Sequence, residues 1–199
     1  EDASMQDINS IHFIARDGYL PLKVYQEIAT NFSNAPTAKY IHISRKSLLP
    51  IYLLPPNQYD IESLVNLHAH TPMYLLRLFD GLLYDGWDSE KLKSRGIIPF
   101  KPFTETSEFL QFIDVLVNEA VDPQKVEKSV QTIIKYFSER LKPNDVLFDL
   151  GYSGRFQSII SNLLGFTNNL YFVHTNRESP WNLSRRYGFQ LKCFYDFKP

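Results

Sequence analysis

The passage 146–164 constrains the fold more tightly than any other. It reads Val-Leu-Phe-Asp-Leu-Gly-Tyr-Ser-Gly-Arg-Phe-Gln-Ser-Ile-Ile-Ser-Asn-Leu-Leu. A short apolar run (Val146, Leu147, Phe148) ends at an acid, Asp149, and a loop with two glycines follows. Phe156, Ile159, Ile160, Leu163 and Leu164 then recur at helical spacing. The pattern predicts a strand, a tight loop and a helix starting near Arg155. Gly151 and Gly154 let backbone N–H groups turn inward, and the positive end of the helix points at the same spot. Such a nest favours an anion, most often a phosphate, to which Ser153 and Arg155 would add a hydroxyl and a permanent charge. Asp149, at the carboxyl end of the strand, would hold sugar hydroxyls or a hydrated Mg²⁺. An ordinary strand-to-helix turn has the same outline, and its glycines would then serve geometry alone. The spacing matches neither the Walker loop nor the dinucleotide fingerprint.

The rest of the chain supplies partners for that unit. Residues 11–15 read as a buried strand, Arg16-Asp17-Gly18-Tyr19 as the loop after it, and Pro21 to Thr30 as a helix carrying Leu22, Val24, Tyr25, Ile28 and Ala29. Tyr40-Ile41-His42-Ile43 is a second strand ending at Ser44-Arg45-Lys46-Ser47. Strand, helix, strand favours a parallel sheet with a right-handed crossover. After Pro55-Pro56 comes a helical block of roughly eighty residues. Residues 60–80 look helical, with Pro72 breaking or restarting the helix. Phe109, Phe112, Ile113, Leu116 and Val117 form one stripe, and Val126, Val130, Ile133, Ile134, Phe137 and Leu141 another, with Asp122 as N-cap and Pro123 at the first helical position. Leu170 to His174 and Phe189 to Tyr195 read as the remaining strands. The expected architecture is α/β, a mainly parallel sheet flanked by helices, in one domain spanning 1–199 with a helical insertion at about 55–142.

Composition excludes several classes. With 44% hydrophobic and 22% charged residues and a net charge of −1 over 199 residues, the chain reads as a globular domain large enough to bury a core. Near-neutral charge argues against a general nucleic-acid binder. Cys193 is the one cysteine, which rules out a disulfide framework and a multi-cysteine zinc site. No apolar run approaches the ~20 residues that span a bilayer. The first ten residues are polar and acidic rather than signal-like, so a cytoplasmic location is expected, as is a domain excised from a longer protein. His68 and His70, two apart, point to different helix faces and would not jointly grip a metal. His174, Trp87 and Trp181 are lesser candidates for contact with a sugar.

Two further loops bear on the site. Arg16 presents a planar fork of donors to phosphate, Gly18 allows close backbone approach, and Asp17 either acts as a base or caps the next helix. Arg45 and Lys46 place two cations at the end of the second strand. Together the loops fit one ligand: a 5-phosphate at 150–156 (Gly151, Tyr152, Ser153, Gly154, Arg155), a pyrophosphate at 16–18, and cations for the leaving charge at 45–46. That is the layout of a site for phosphoribosyl pyrophosphate (PRPP).

The order and roles of these loops resemble those of type I phosphoribosyltransferases, although Asp149 is followed by Leu150 where that family usually has two adjacent acids. His-Phe-Ile-Ala-Arg-Asp-Gly-Tyr-Leu (12–20), Tyr-Ile-His-Ile-Ser-Arg-Lys-Ser (40–47) and Phe-Asp-Leu-Gly-Tyr-Ser-Gly-Arg-Phe-Gln (148–157) are similar to motifs of bacterial polysaccharide-biosynthesis proteins. These are glycan phosphoribosyltransferases, often linked to a haloacid-dehalogenase-type phosphatase. The resemblance implies a transferase that moves 5-phosphoribose from PRPP to a sugar hydroxyl of a lipid-linked or nascent surface glycan, with inversion and release of pyrophosphate. It implies Mg²⁺ as cofactor, Asp17 and Asp149 as catalytic residues, Asp149 or Asp17 near the metal, a separate or fused phosphatase as partner, and a place at the inner face of the membrane. The passage 55–105 falls to acceptor recognition by elimination. A non-catalytic PRPP or nucleotide-binding module and a nucleobase-salvage phosphoribosyltransferase remain alternatives.

Overall fold

The computed structural model describes residues 8–15, 17–44, 46–54, 69–150, 155–175, 188 and 190–196, and for 155, 156, 174, 175 and 194–196 the backbone alone. The chain divides into two compact units: residues 1–44 with 134–199, and residues 45–133.

The first unit is built on a five-stranded, all-parallel sheet. Its elements are β1 (Ser10–Ile14), α1 (Tyr19–Ala29), β2 (Thr37–Ile41), β3 (Val146–Asp149), α7 (Arg155–Leu164), β4 (Asn169–Thr175) and β5 (Leu191–Asp196), together with the end of a helix, α6 (Pro123–Ser138), that begins in the second unit. The strand order is β2-β1-β3-β4-β5. β1 is buried along its whole length, as a strand covered on both faces is, its polar Ser10 and His12 included. β2 lies at the edge, where Thr37 and Lys39 are exposed. It starts at Thr37 rather than at the apolar run beginning at Tyr40, because its register is set by pairing with β1, with Thr37 opposite Ser10 and Ile41 opposite Ile14.

Side chains alternate across the sheet. Ile11, Phe13, Val146 and Tyr171 form one buried cluster with Leu22 of α1, and Tyr25, Tyr40 and Phe148 pack at its margin. Phe13 is its hub, with ring centroids 4.9 Å from Phe148 and 5.6 Å from Tyr25. Each such side chain fully removed from water contributes roughly 1.5–3 kcal/mol. His12, Ile14, Leu147, Leu170 and Phe172 alternate to the other face and are also buried. Right-handed crossovers running leftward from β1 to β2 and rightward from β3 to β4 put α1 and α7 on opposite faces. Gly165, at φ 69°, ends α7 in the left-handed region where a side chain is strained.

Every described residue of the second unit outside single turns and loops is helical: α2 (Leu49–Tyr52), α3 (Pro72–Leu78), α4 (Ser89–Ser94), α5 (Thr106–Val115) and the start of α6 (Pro123–Ser138). Pro72 opens α3, with the Thr71 hydroxyl capping the Tyr74 N–H at 3.2 Å. The Asp122 carboxylate accepts from the Gln124 N–H at 2.9 Å, capping α6 ahead of Pro123. Phe109, Phe112, Ile113 and Leu116 line the buried side of α5 and the single π turn that extends it over Leu116–Ala120. Among the described residues no helix is long and apolar enough to cross a membrane.

Candidate functional site

In an open parallel sheet, ligands bind beyond the carboxyl ends of the strands, at the point where the chain's direction of winding reverses. Here that point lies between β1 and β3, which are hydrogen-bonded neighbours (Phe13 opposite Phe148) whose outgoing chains cross to opposite sides.

The chain leaving β1 turns tightly. Ala15 N–H bonds Ile41 O at 2.9 Å, extending the pairing with β2 by one residue, and Gly18 N–H bonds Ile14 O at 2.8 Å. Gly18 is the N-cap of α1 and is buried. A Cβ there would stand 2.4 Å from Ile14 O and 2.8 Å from Ile14 N. The backbone that approaches Gly18 is therefore the protein's own. Asp17, beside it, is exposed. The chain leaving β3 does so at Asp149, the strand's last residue, which is half-buried and opposite Phe172 of β4. α7 starts at Arg155, so its positive end faces the same sheet edge.

The remaining expected residues are distributed as follows. Arg16, Arg45, Gly151, Tyr152, Ser153 and Gly154 lie outside the described residues, as does the side chain of Arg155. Lys46 is exposed, in a 3₁₀ turn (Lys46–Leu48) of the second unit. Among the other candidates, His70 stacks on Tyr74 at 4.6 Å in that unit, and Trp87 is half-buried. His68, Trp181 and the side chain of His174 lie outside the described residues. Among the described residues no three His, Cys, Asp or Glu side chains gather as a metal cluster.

Two groups are not apparent from sequence alone. Gln157, in the first turn of α7, is 1% exposed, and among the described residues neither its amide oxygen nor its nitrogen has a hydrogen-bond partner. A buried, unpaired polar group costs about 1–3 kcal/mol and calls for an explanation. The signal was its place on the stripe 157, 160, 161, 164, the inward face of the helix. The second is a buried network on β1. His12 Nε2 lies 3.0 Å from Asp145 Oδ2, both side chains being 2% exposed. Asp145 Oδ2 also accepts from Lys142 N–H at 2.9 Å, and the Asn168 amide donates to Lys142 O at 2.6 Å and Asp145 O at 3.0 Å. Burial lowers the His12 pKa, against the opposing pull of the Asp145 carboxylate. Asp145 and Asn168 immediately precede β3 and β4, so this network braces the entry edge of the sheet, away from the strand ends described above.

Beyond β2, the His42 N–H donates to the Tyr136 hydroxyl at 2.9 Å, and the Arg140 guanidinium lies 4.0 Å from the Tyr136 ring centroid. This ties the end of α6 to the chain leaving the edge strand. Neither the models of known protein families nor the curated proteins include a match to this chain.

Proposed function

We propose that the chain is a glycosyltransferase that moves 5-phosphoribose from PRPP to a sugar hydroxyl of a bacterial surface glycan, with inversion and release of pyrophosphate, on a type I phosphoribosyltransferase-like fold. The observation that carries the reading is topological. The winding of the all-parallel sheet reverses between β1 and β3, and the turn holding Asp17 and Gly18 and the strand end holding Asp149 belong to those two strands.

PRPP brings its own leaving group, so the protein's work is to hold the donor, align the acceptor and answer charge. The amino end of α7 and the loop before it take the 5-phosphate, and Arg16 takes the pyrophosphate. As the bond to pyrophosphate lengthens, positive charge grows on the ribose ring and negative charge on the departing oxygens. Asp149 binds the ribose hydroxyls and lies beneath the developing positive charge, an interaction stronger in the transition state than in the ground state. Asp17, exposed in the turn that leaves β1, accepts the proton of the attacking hydroxyl. Mg²⁺ needs one or two carboxylate oxygens plus phosphate oxygens, a donor set that Asp149 and PRPP meet. When bound it would neutralise charge on the pyrophosphate.

The test is incubation of the purified chain with labelled PRPP, Mg²⁺ and a panel of synthetic glycan acceptors. Acceptor-dependent pyrophosphate release is expected, falling at least about 100-fold in Asp149→Asn while the fold is retained. PRPP binding without release on any acceptor would instead identify a sensor. Turnover of hypoxanthine, adenine or orotate would identify a salvage enzyme. Near-wild-type transfer by Asp149→Asn would remove the site.

A further inference from the structure

A helix that is apolar along one stripe needs one neighbour, whereas one that also carries a second apolar row has a further face to cover. α1 is of the second kind. Its inner face holds Leu22 and Tyr25 against the sheet, and Tyr25 donates to Pro36 O at 2.8 Å. Its outer face carries a second apolar row at intervals of four: Leu20, Val24 and Ile28, continued by Phe32 in the turn just beyond. These four are 71%, 50%, 52% and 43% exposed. The row is flanked along one side by Lys23 and Glu27, both exposed and one helical turn apart.

We propose that this face is a self-association surface on which a second copy of the chain seats its own α1, antiparallel, about a two-fold axis. Charge selects that occupant. In an antiparallel pair the same flank of each helix meets its copy, so Lys23 faces the partner's Glu27 twice over, while Val24 meets the partner's Ile28 and Leu20 the partner's Phe32. The two registers differ by two residues of helix, about 3 Å, an offset that the long Lys23 and Glu27 side chains span. A parallel pair would set Lys23 and Glu27 against the other flank, where Pro21 and Tyr25 offer no charge. The area is also sufficient. The four apolar side chains expose roughly 400 Å² per copy, so that with the flanking Lys23, Glu27 and Asn31 the pair passes the ~1,000 Å² asked of a specific interface. The apolar part of this face is about as large as the largest patch on a typical monomer, and such patches are often functional.

Sedimentation equilibrium of the full 199-residue chain from about 1 to 100 µM tests this. The expected mass is twice that of the 23.2 kDa chain at the upper end of the range. Val24→Glu should give a monomer that is still folded by circular dichroism. Lys23→Glu or Glu27→Lys alone should weaken the pair about tenfold, because the two-fold turns two attractions into two repulsions, and the double reversal should restore it. A wild-type chain that stays monomeric throughout would overturn the proposal. So would a dimer that Val24→Glu and both single reversals leave intact, or single reversals that the double variant does not rescue.

Discussion

Gly18 shows how much one missing side chain can decide. Its φ of −75° is open to any residue, so its conformation does not demand glycine. Space does, because the first helical turn of α1 is laid directly against the backbone of Ile14, and a methyl group would overlap a carbonyl oxygen that cannot swing aside. Gly18→Ala is therefore expected to push α1 off β1 and to cost about 1–3 kcal/mol. Thermal unfolding would register this as a drop on the order of 5 °C, and an unchanged midpoint would show that the turn relaxes without loss. From sequence, Arg16-Asp17-Gly18 reads equally as a ligand loop and as a helix start. The steric reason for Gly18 depends on where Ile14 ends up, which no local pattern encodes. Gln157 was hidden for a similar reason. A glutamine near a helix start usually reaches back to the backbone or out to water, and only the packing of α7 reveals that this one does neither.

At the level of elements, the well-marked segments were legible because their signals are local. The run Val146–Phe148 ending at Asp149 became β3, and the helical spacing after Arg155 became α7. Asp122-Pro123 opened α6 as its residue types prescribe: a carboxylate that accepts free N–H groups, followed by a residue whose missing N–H costs nothing there. Asp122→Ala should accordingly destabilise the protein by about 1 kcal/mol, while Asp122→Asn, which keeps an accepting oxygen, should lose much less. Urea unfolding of the two variants makes the comparison, and equal losses would count against a capping role. Less legible were elements whose limits are set by neighbours. β2 was read from its apolar residues yet begins at Thr37, because β1 supplies the hydrogen-bond partners. α1 was read with Val24 and Ile28 among its apolar residues, and both lie on its exposed side. Periodicity shows that a helix is apolar but not which of its faces meets the sheet.

For the molecule as a whole, the two units should respond to acid in separate windows. His12 titrates below its ordinary 6.5 because it is buried, so the unfolded chain binds a proton that the folded sheet refuses. Its contribution is complete above about pH 6.5 and declines as pH falls below that value. Glu108, in the helical unit, is held near 2 by the Thr104 N–H and hydroxyl and by Lys101, against an ordinary 4.5. Its contribution is complete above about pH 4.5 and is lost as pH falls toward 2. Thermal midpoints recorded from pH 8 to 2 should thus slope in both windows. His12→Gln should flatten the upper slope and Glu108→Gln the lower. A wild-type midpoint that does not change between pH 7 and 5 would contradict the reading of His12. Residue order alone determined the α/β class and the parallel pairing, because hydrophobic period, turn chemistry and capping act over a few residues. The three-dimensional fold alone decided that β1 and β3 are neighbours at the point where the winding reverses, that His12 finds Asp145, and that one apolar row of α1 faces outward. Those outcomes join residues as much as 135 positions apart, and contact at that range is settled by which surfaces exclude water together.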